Sequence, residues 1–197
     1  IIQNNQKPLL LLEAPVGCRS GYSQHSRLIL RSLMAMDKFE IAVFPTRWGN
    51  TPMNALDPNK PQDKEILDLF RQKIDRQPDI HIQISIPSEF QRKGKKFIGI
   101  TAGTEASLAP LSFVQGTNVP DLVIVPSEFT KEVLLGTKYD KKNEQGQIIE
   151  TIQVTKPIEV LFEGLSTEIF SKNNIVKSDL TTELNAIPEK FCYLFCG

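Results

Sequence analysis

Short apolar runs alternate along this chain with segments whose apolar residues recur every three to four positions. Pro8–Glu13 is a continuous apolar run closed by a polar loop, the signature of a strand buried on both faces. Gly21–Asp37 follows with helical spacing: Tyr22, Ile29, Leu33 and Met36 fall on one face, with Leu30 and Met34 beside them. Phe39–Phe44 reads as a second strand closed by Pro45. A polar loop with Trp48, Gly49, Pro52 and Pro58 leads to a second helix over Asp63–Ile74, with Ile66, Leu67, Phe70 and Ile74 inward. Ile80, Ile82 and Ile84 alternate with His81, Gln83 and Ser85, which gives a third strand one polar face. Lys96–Thr101 and Leu122–Val125 are the fourth and fifth strands. Between them a short helix starts at Pro110, whose fixed φ suits a first turn. Ser127 caps a helix over Glu128–Leu135, and Ile158–Phe162 is the last strand of the unit.

This rhythm predicts an α/β fold: a Rossmann-like, mostly parallel sheet with helices on both faces. Right-handed crossovers then gather the strand-to-helix loops along one edge, where such sheets bind ligands. Two stretches break the rhythm. Thr137–Val154, with a polar turn at Lys141–Gly146, is expected to be an inserted β-hairpin. Ser171–Glu189 lacks apolar periodicity and reads as a linker. Phe191–Phe195 is apolar again and runs into Cys196-Gly197, as at the opening of a new α/β unit, and a lone strand is not a domain. The expected division is therefore a domain over 1–170, a linker over 171–190, and at 191–197 the first strand of a second domain that is cut off or continues beyond.

Composition changes this picture little. Lys+Arg and Asp+Glu both number 23, so overall charge points to neither nucleic acid nor an anionic membrane. No apolar run approaches the length of a membrane span. The three cysteines, Cys18, Cys192 and Cys196, make no disulfide framework; with only His25 and His81 available, they read as small buried residues rather than zinc ligands. Sparse cysteine fits the cytoplasm, the inner membrane surface included.

Four stretches, in order, resemble the retaining glycosyltransferases of the GT-B fold (glycosyltransferase group 1, family 4-like) in their N-terminal domain. They are Gly17-Cys18-Arg19-Ser20-Gly21-Tyr22, Gly99-Ile100-Thr101-Ala102-Gly103-Thr104-Glu105, Asp121-Leu122-Val123-Ile124-Val125-Pro126-Ser127-Glu128-Phe129, and Ile158-Glu159-Val160-Leu161-Phe162-Glu163-Gly164-Leu165. The chain departs from the family pattern at Leu165-Ser166, where Val-Asp is common, in the extra hairpin, and in a first loop without paired glycines. The resemblance implies transfer of a sugar from a UDP-, GDP- or ADP-sugar to a hydroxyl acceptor, glycan, lipid-linked or other, with retention and without a metal. No D-x-D pair follows a strand, and no cofactor is expected beyond the sugar nucleotide. Base and sugar choice would fall to a C-terminal domain of the same polypeptide. A non-catalytic binding or scaffold protein and a nucleotide-sugar epimerase are the alternatives.

The loop residues supply candidate chemistry, each with a plainer reading. Gly17 and Gly21 bracket a strand-to-helix turn, where backbone N–H groups and the helix dipole favour an anion. Arg19 can face a leaving phosphate, with Ser20 beside it; the plainer reading is a tight turn with Arg19 solvated. Glu105, beyond the fourth strand, is the candidate catalytic carboxylate, able to bind sugar hydroxyls or stabilise an oxocarbenium-like centre, or it is only a charge favoured by a helix dipole. Thr101 and Thr104 add hydroxyls. His25 can contact a phosphate or an acceptor hydroxyl, or simply pack. Trp48 can stack on an acceptor sugar ring, or hold its own loop. His81 is assigned no role. Gln91–Lys96 is a basic run best read as a solvated loop, since no aromatics interleave with it as nucleic-acid binding would require.

Overall fold

The computed structural model describes residues 7–165, 167, 171 and 185–188. The chain divides into two compact units, Ile1–Glu163 and Gly164–Gly197, and every element named below belongs to the first. The strand expected at Phe191–Phe195 and most of the expected linker lie outside the described residues.

The elements run β1 (Leu9–Ala14), α1 (Gly21–Met36), β2 (Glu40–Pro45), α2 (Pro61–Leu67), β3 (Ile80–Ile84), β4 (Lys96–Ile100), α3 (Leu111–Thr117), β5 (Leu122–Val125), α4 (Glu128–Gly136), β6 (Lys138–Lys142), β7 (Ile148–Gln153) and β8 (Ile158–Val160). Six strands form one sheet in the order β2-β1-β3-β4-β5-β8, and every pair in it is parallel. The apolar runs make this possible, because a parallel strand covered on both faces has no polar face to spare.

Alternate residues of each strand feed two cores. Leu10, Leu12, Ala14, Ile82, Ile84 and Ile100 pack with Leu30 of α1 and Ile66 of α2. Val123 lies opposite Gly99 in the register, on the other face from Ile100. There Val123, Val125 and Ile158 pack with Val114 of α3 and with Val133 and Leu134 of α4. Helices therefore cover both faces, as the sequence predicts.

Helix α1 starts where the sequence places it. Ser20 is its N-cap, accepting a hydrogen bond from the Ser23 N–H at 3.2 Å. It ends at Asp37, whose left-handed φ of 51° turns its N–H back to the Met34 carbonyl. Its buried centre is Ser23, Ser26 and Leu30, while Met36, expected inward, is exposed. Small hydroxyl residues let the helix lie close on β1, and Ser26 Oγ donates to the Tyr22 carbonyl at 2.6 Å, so its burial leaves no unpaired donor.

The second helix is shorter than its periodicity suggests. It stops at Leu67, and Phe70 forms a parallel bridge with Val43 instead. Val43 N–H donates to the Leu69 carbonyl and Arg71 N–H to the Val43 carbonyl, both at 2.9 Å. The open edge of β2 captures the backbone that a longer helix would have used internally. Ile74 then packs with Leu9, Leu11 and Ala42 from an irregular segment.

The inserted hairpin is β6 and β7, an antiparallel pair separate from the main sheet. Its base is tied down: Tyr139 Oη donates to the Ala109 carbonyl at 2.8 Å and Asn118 Nδ2 to the Gln153 carbonyl at 2.8 Å. Its tip is exposed, Ile148 and Ile149 included.

Candidate functional site

The chain moves outward from β1 to β2, then crosses back to place β3 on the other side of β1. That reversal leaves a crevice at the C-terminal ends of β1 and β3, where open α/β sheets bind ligands. Two recesses open along this edge, one on each face, with Ile84 at the end of β3 lining both.

On the α1 face is a narrow slot of about 290 Å³ of empty space, part of it open to solvent. Tyr22 and His25 line it from α1, Ile100, Thr101 and Ala102 from the end of β4, and Leu161 and Glu163 from beyond β8. The Tyr22 hydroxyl accepts from the Ala102 N–H at 3.0 Å and shares a hydrogen bond with the Thr101 hydroxyl at 3.2 Å. Thr101 Oγ1 also accepts from the Gly103 N–H at 3.0 Å. Gly103 is needed at that turn: its φ is +74°, and a Cβ would meet the Thr130 methyl at 2.3 Å. The Tyr22 ring stacks on Trp48, centroids 3.9 Å apart and planes at 22°. His25 Nδ1 is buried without a hydrogen-bond partner and faces Glu163 Oε1 at 3.8 Å, beyond hydrogen-bonding reach.

The expected site residues divide on this geometry. Tyr22, His25 and Thr101 line the slot, and Trp48 is joined to them through its stack on Tyr22. Of the first loop, Ser20 is occupied as a helix cap, and Arg19 reaches away, its guanidinium donating to Asn54 Oδ1 at 2.9 Å and to the Asn54 carbonyl at 3.2 Å. The cation at the back of this loop is Arg27, which donates to the carbonyls of Val16 at 2.8 Å and Cys18 at 3.0 Å. Burial, with Arg31 nearby, lowers its pKa from the ordinary arginine value. Gly17 is buried in the turn and Gly21 opens the helix. Glu105 is exposed on the loop after β4 and does not line the slot; Thr104 is spent locally, its hydroxyl accepting from the Ala106 N–H at 3.2 Å.

The basic run is an exposed loop leading into β4, as expected, but three of its cations are paired. Lys93 Nζ lies 2.6 Å from Glu13 Oε2, Lys95 Nζ 2.7 Å from Asp79 Oδ1, and Arg92 grips both oxygens of Asp121 at 2.6 and 2.8 Å. His81, assigned nothing from sequence, is fully buried, stacked on Phe97 at 4.6 Å, with Nε2 3.3 Å from Glu13 Oε2. Sequence reading also missed Tyr22 as a polar group and Glu163 as a slot residue. Tyr22 carried a signal, since a tyrosine rather than a leucine at a helix start beside a loop often needs a partner for its hydroxyl.

Among the described residues no helix is long and apolar enough to cross a membrane, and no group of three or more His, Cys, Asp and Glu side chains is arranged to hold a metal ion. No protein-family model matches this chain, and no curated protein is significantly similar to it.

Proposed function

We propose that this chain forms the acceptor-side half of a nucleotide-sugar-dependent glycosyltransferase. What supports the reading is the convergence of an aromatic pair, an imidazole and a hydroxyl at the C-terminal edge of a parallel sheet, two of them, Tyr22 and Thr101, within the resembling stretches. The Trp48–Tyr22 stack offers a wall for a sugar ring. The slot is otherwise lined by Ile84, Ile100, Ile124 and Leu161, which keep water away from polar groups at its lip. His25, with the Glu163 carboxylate beside it, is the group best situated to accept a proton from an acceptor hydroxyl or to meet a phosphate. The first turn of α1 brings unpaired N–H groups and a dipole that favours an anion. In this reading the donor nucleotide is held by a second domain of the same polypeptide, and transfer proceeds without a metal.

The exposed position of Glu105 outside the slot favours a second reading, in which the same edge binds a sugar nucleotide or glycan without catalysis. One experiment separates the two. The natural polypeptide is given UDP-, GDP- and ADP-sugars with a panel of hydroxyl acceptors, and nucleoside-diphosphate release is followed in the presence of a chelator. Transfer predicts chelator-resistant release from one donor, reduced on the order of 10²-fold in His25→Ala, the scale of a lost proton-transfer group. Thermal stabilisation by a sugar nucleotide without release, across all acceptors, supports the binding reading. Neither release nor stabilisation sinks both.

A further inference from the structure

On the face opposite α1, the β1–β3 crevice holds a second recess of about 490 Å³ of empty space, part of it open to solvent. Its walls are Glu13 of β1, Thr46 and Arg47 after β2, Gln83 and Ser85 of β3, and Glu89 and Gln91 of the following loop. Unlike the slot it is polar and has no aromatic side.

Its floor is built rather than incidental. Gln83 spends its carboxamide on the loop backbone, donating to the Glu89 carbonyl and accepting from the Gln91 N–H, both at 2.9 Å. Ser85 Oγ donates to Glu89 Oε2. Gly94 presses the loop flat on β3, so close that a Cβ would lie 2.8 Å from that of His81. The enclosed imidazole accepts from the Lys93 N–H at 3.3 Å, and its Nε2, buried without a hydrogen bond, is aimed at Glu13. Lys93 holds the same carboxylate from the other side. Glu13 is thus fixed with Oε2 engaged and Oε1 unpartnered. Around it the Arg47 guanidinium, the Thr46 hydroxyl, the Gln91 carboxamide and Glu89 Oε1 also make no hydrogen bond or ion pair among the described residues.

We propose that this recess binds a neutral polyhydroxylated ligand, a sugar unit, between Glu13 and Glu89 as acceptors and Arg47 and Gln91 as donors. The charge pattern selects the class. Glu13 is balanced by Lys93, and Glu89 and Arg47 are opposite and unpaired, so the recess has no net sign to attract an ion. An anion would meet two carboxylates and a cation would meet Arg47 and Lys93. Hydroxyl groups both donate and accept, and so satisfy all four partners at once. The site does not rest on glycosyl transfer, since holding a sugar needs no donor.

The test is saturation-transfer NMR on this protein with glucose, galactose, mannose and N-acetylglucosamine, no nucleotide present. At least one sugar is expected to receive saturation, and its binding to weaken at least about tenfold in Arg47→Ala or Glu89→Gln, the loss of a charged hydrogen bond. Both side chains are exposed and outside the apolar cores, so folding is not at stake. Saturation that survives in both recess variants and is lost in His25→Ala belongs to the slot, which keeps the two sites distinct. No transfer to any of the four sugars, transfer unchanged in both recess variants, or transfer abolished only by His25→Ala each overturns the proposal.

Discussion

Tyr22 shows how much one side chain carries at this edge. Its ring supports Trp48, and its hydroxyl joins the loop after β4 to α1 through Thr101 and the Ala102 N–H. Tyr22→Phe keeps the stack and removes both hydrogen bonds. A stability loss of about 1 kcal/mol in urea unfolding is expected, because water can reach the freed Ala102 N–H; no loss would mean the link is idle. Gly116 is a harder constraint. A Cβ there would sit 1.9 Å from the Pro87 carbonyl oxygen, which is backbone and not free to swing away. Gly116→Ala is expected to cost on the order of 2–3 kcal/mol through overpacking, and a urea midpoint equal to the parent's would refute the contact. Gly116 is not readable in this role from sequence, where it is one more residue of a short helix, and the signal in Tyr22, a hydroxyl in need of a partner, names no partner. Glu105 errs in the other direction. Its place after a strand was legible, but whether that loop turns its carboxylate toward a recess depends on Gly103 and Thr130, which the local pattern does not reveal.

Among the elements, those with strong local signals are where the pattern puts them. Ser127 caps α4, accepting from the Thr130 N–H at 3.2 Å, and Pro110 precedes α3. The hairpin was legible because its turn is polar and its arms alternate. Helix α2 was overextended because Phe70 and Ile74 fit a helical period, yet the unpaired edge of β2 offered their backbone better partners. That competition is tertiary and leaves no local trace. The start of α1 bears on function as well as folding, since Ser20 was also a candidate ligand contact. Ser20→Ala is expected to lower stability by about 1 kcal/mol, the usual worth of a cap, while Ser20→Asp keeps most of it. Measured alongside sugar-nucleotide binding, the pair distinguishes the roles: affinity that follows stability in both variants marks Ser20 as a cap and nothing more.

At the scale of the whole sheet, strand order decides where ligands can sit, and periodicity cannot supply it. A βα repeat read along the chain is equally compatible with several orders; only the return of β3 to the far side of β1 creates the crevice and its two recesses. The same order explains the basic run. Read locally, Gln91–Lys96 is a patch of unopposed charge. In the fold its cations are distributed to Glu13 at the end of β1, Asp79 before β3 and Asp121 before β5, so one loop joins three strands' ends. Each partner carboxyl is held below its ordinary pKa. Burial pushes Glu13 up, but His81 and Lys93 outweigh it. Lys95 and the Leu9 N–H lower Asp79, and Arg92 with the Phe97 N–H lowers Asp121 furthest. A carboxyl depressed in the folded state contributes stability above its unfolded pKa and loses it as pH falls through the folded one. With unfolded values of about 4, the urea midpoint is expected to be steady from neutral pH to about 5 and to fall steadily below it. Asp121→Asn is expected to flatten part of that acid slope while lowering the neutral-pH midpoint. The exposed pairs should also weaken in high salt, whereas Glu13, half enclosed between His81 and Lys93, should be screened least. A midpoint that stays level down to pH 3 would mean that the apolar cores hold these strand ends together without help from the loop's charges.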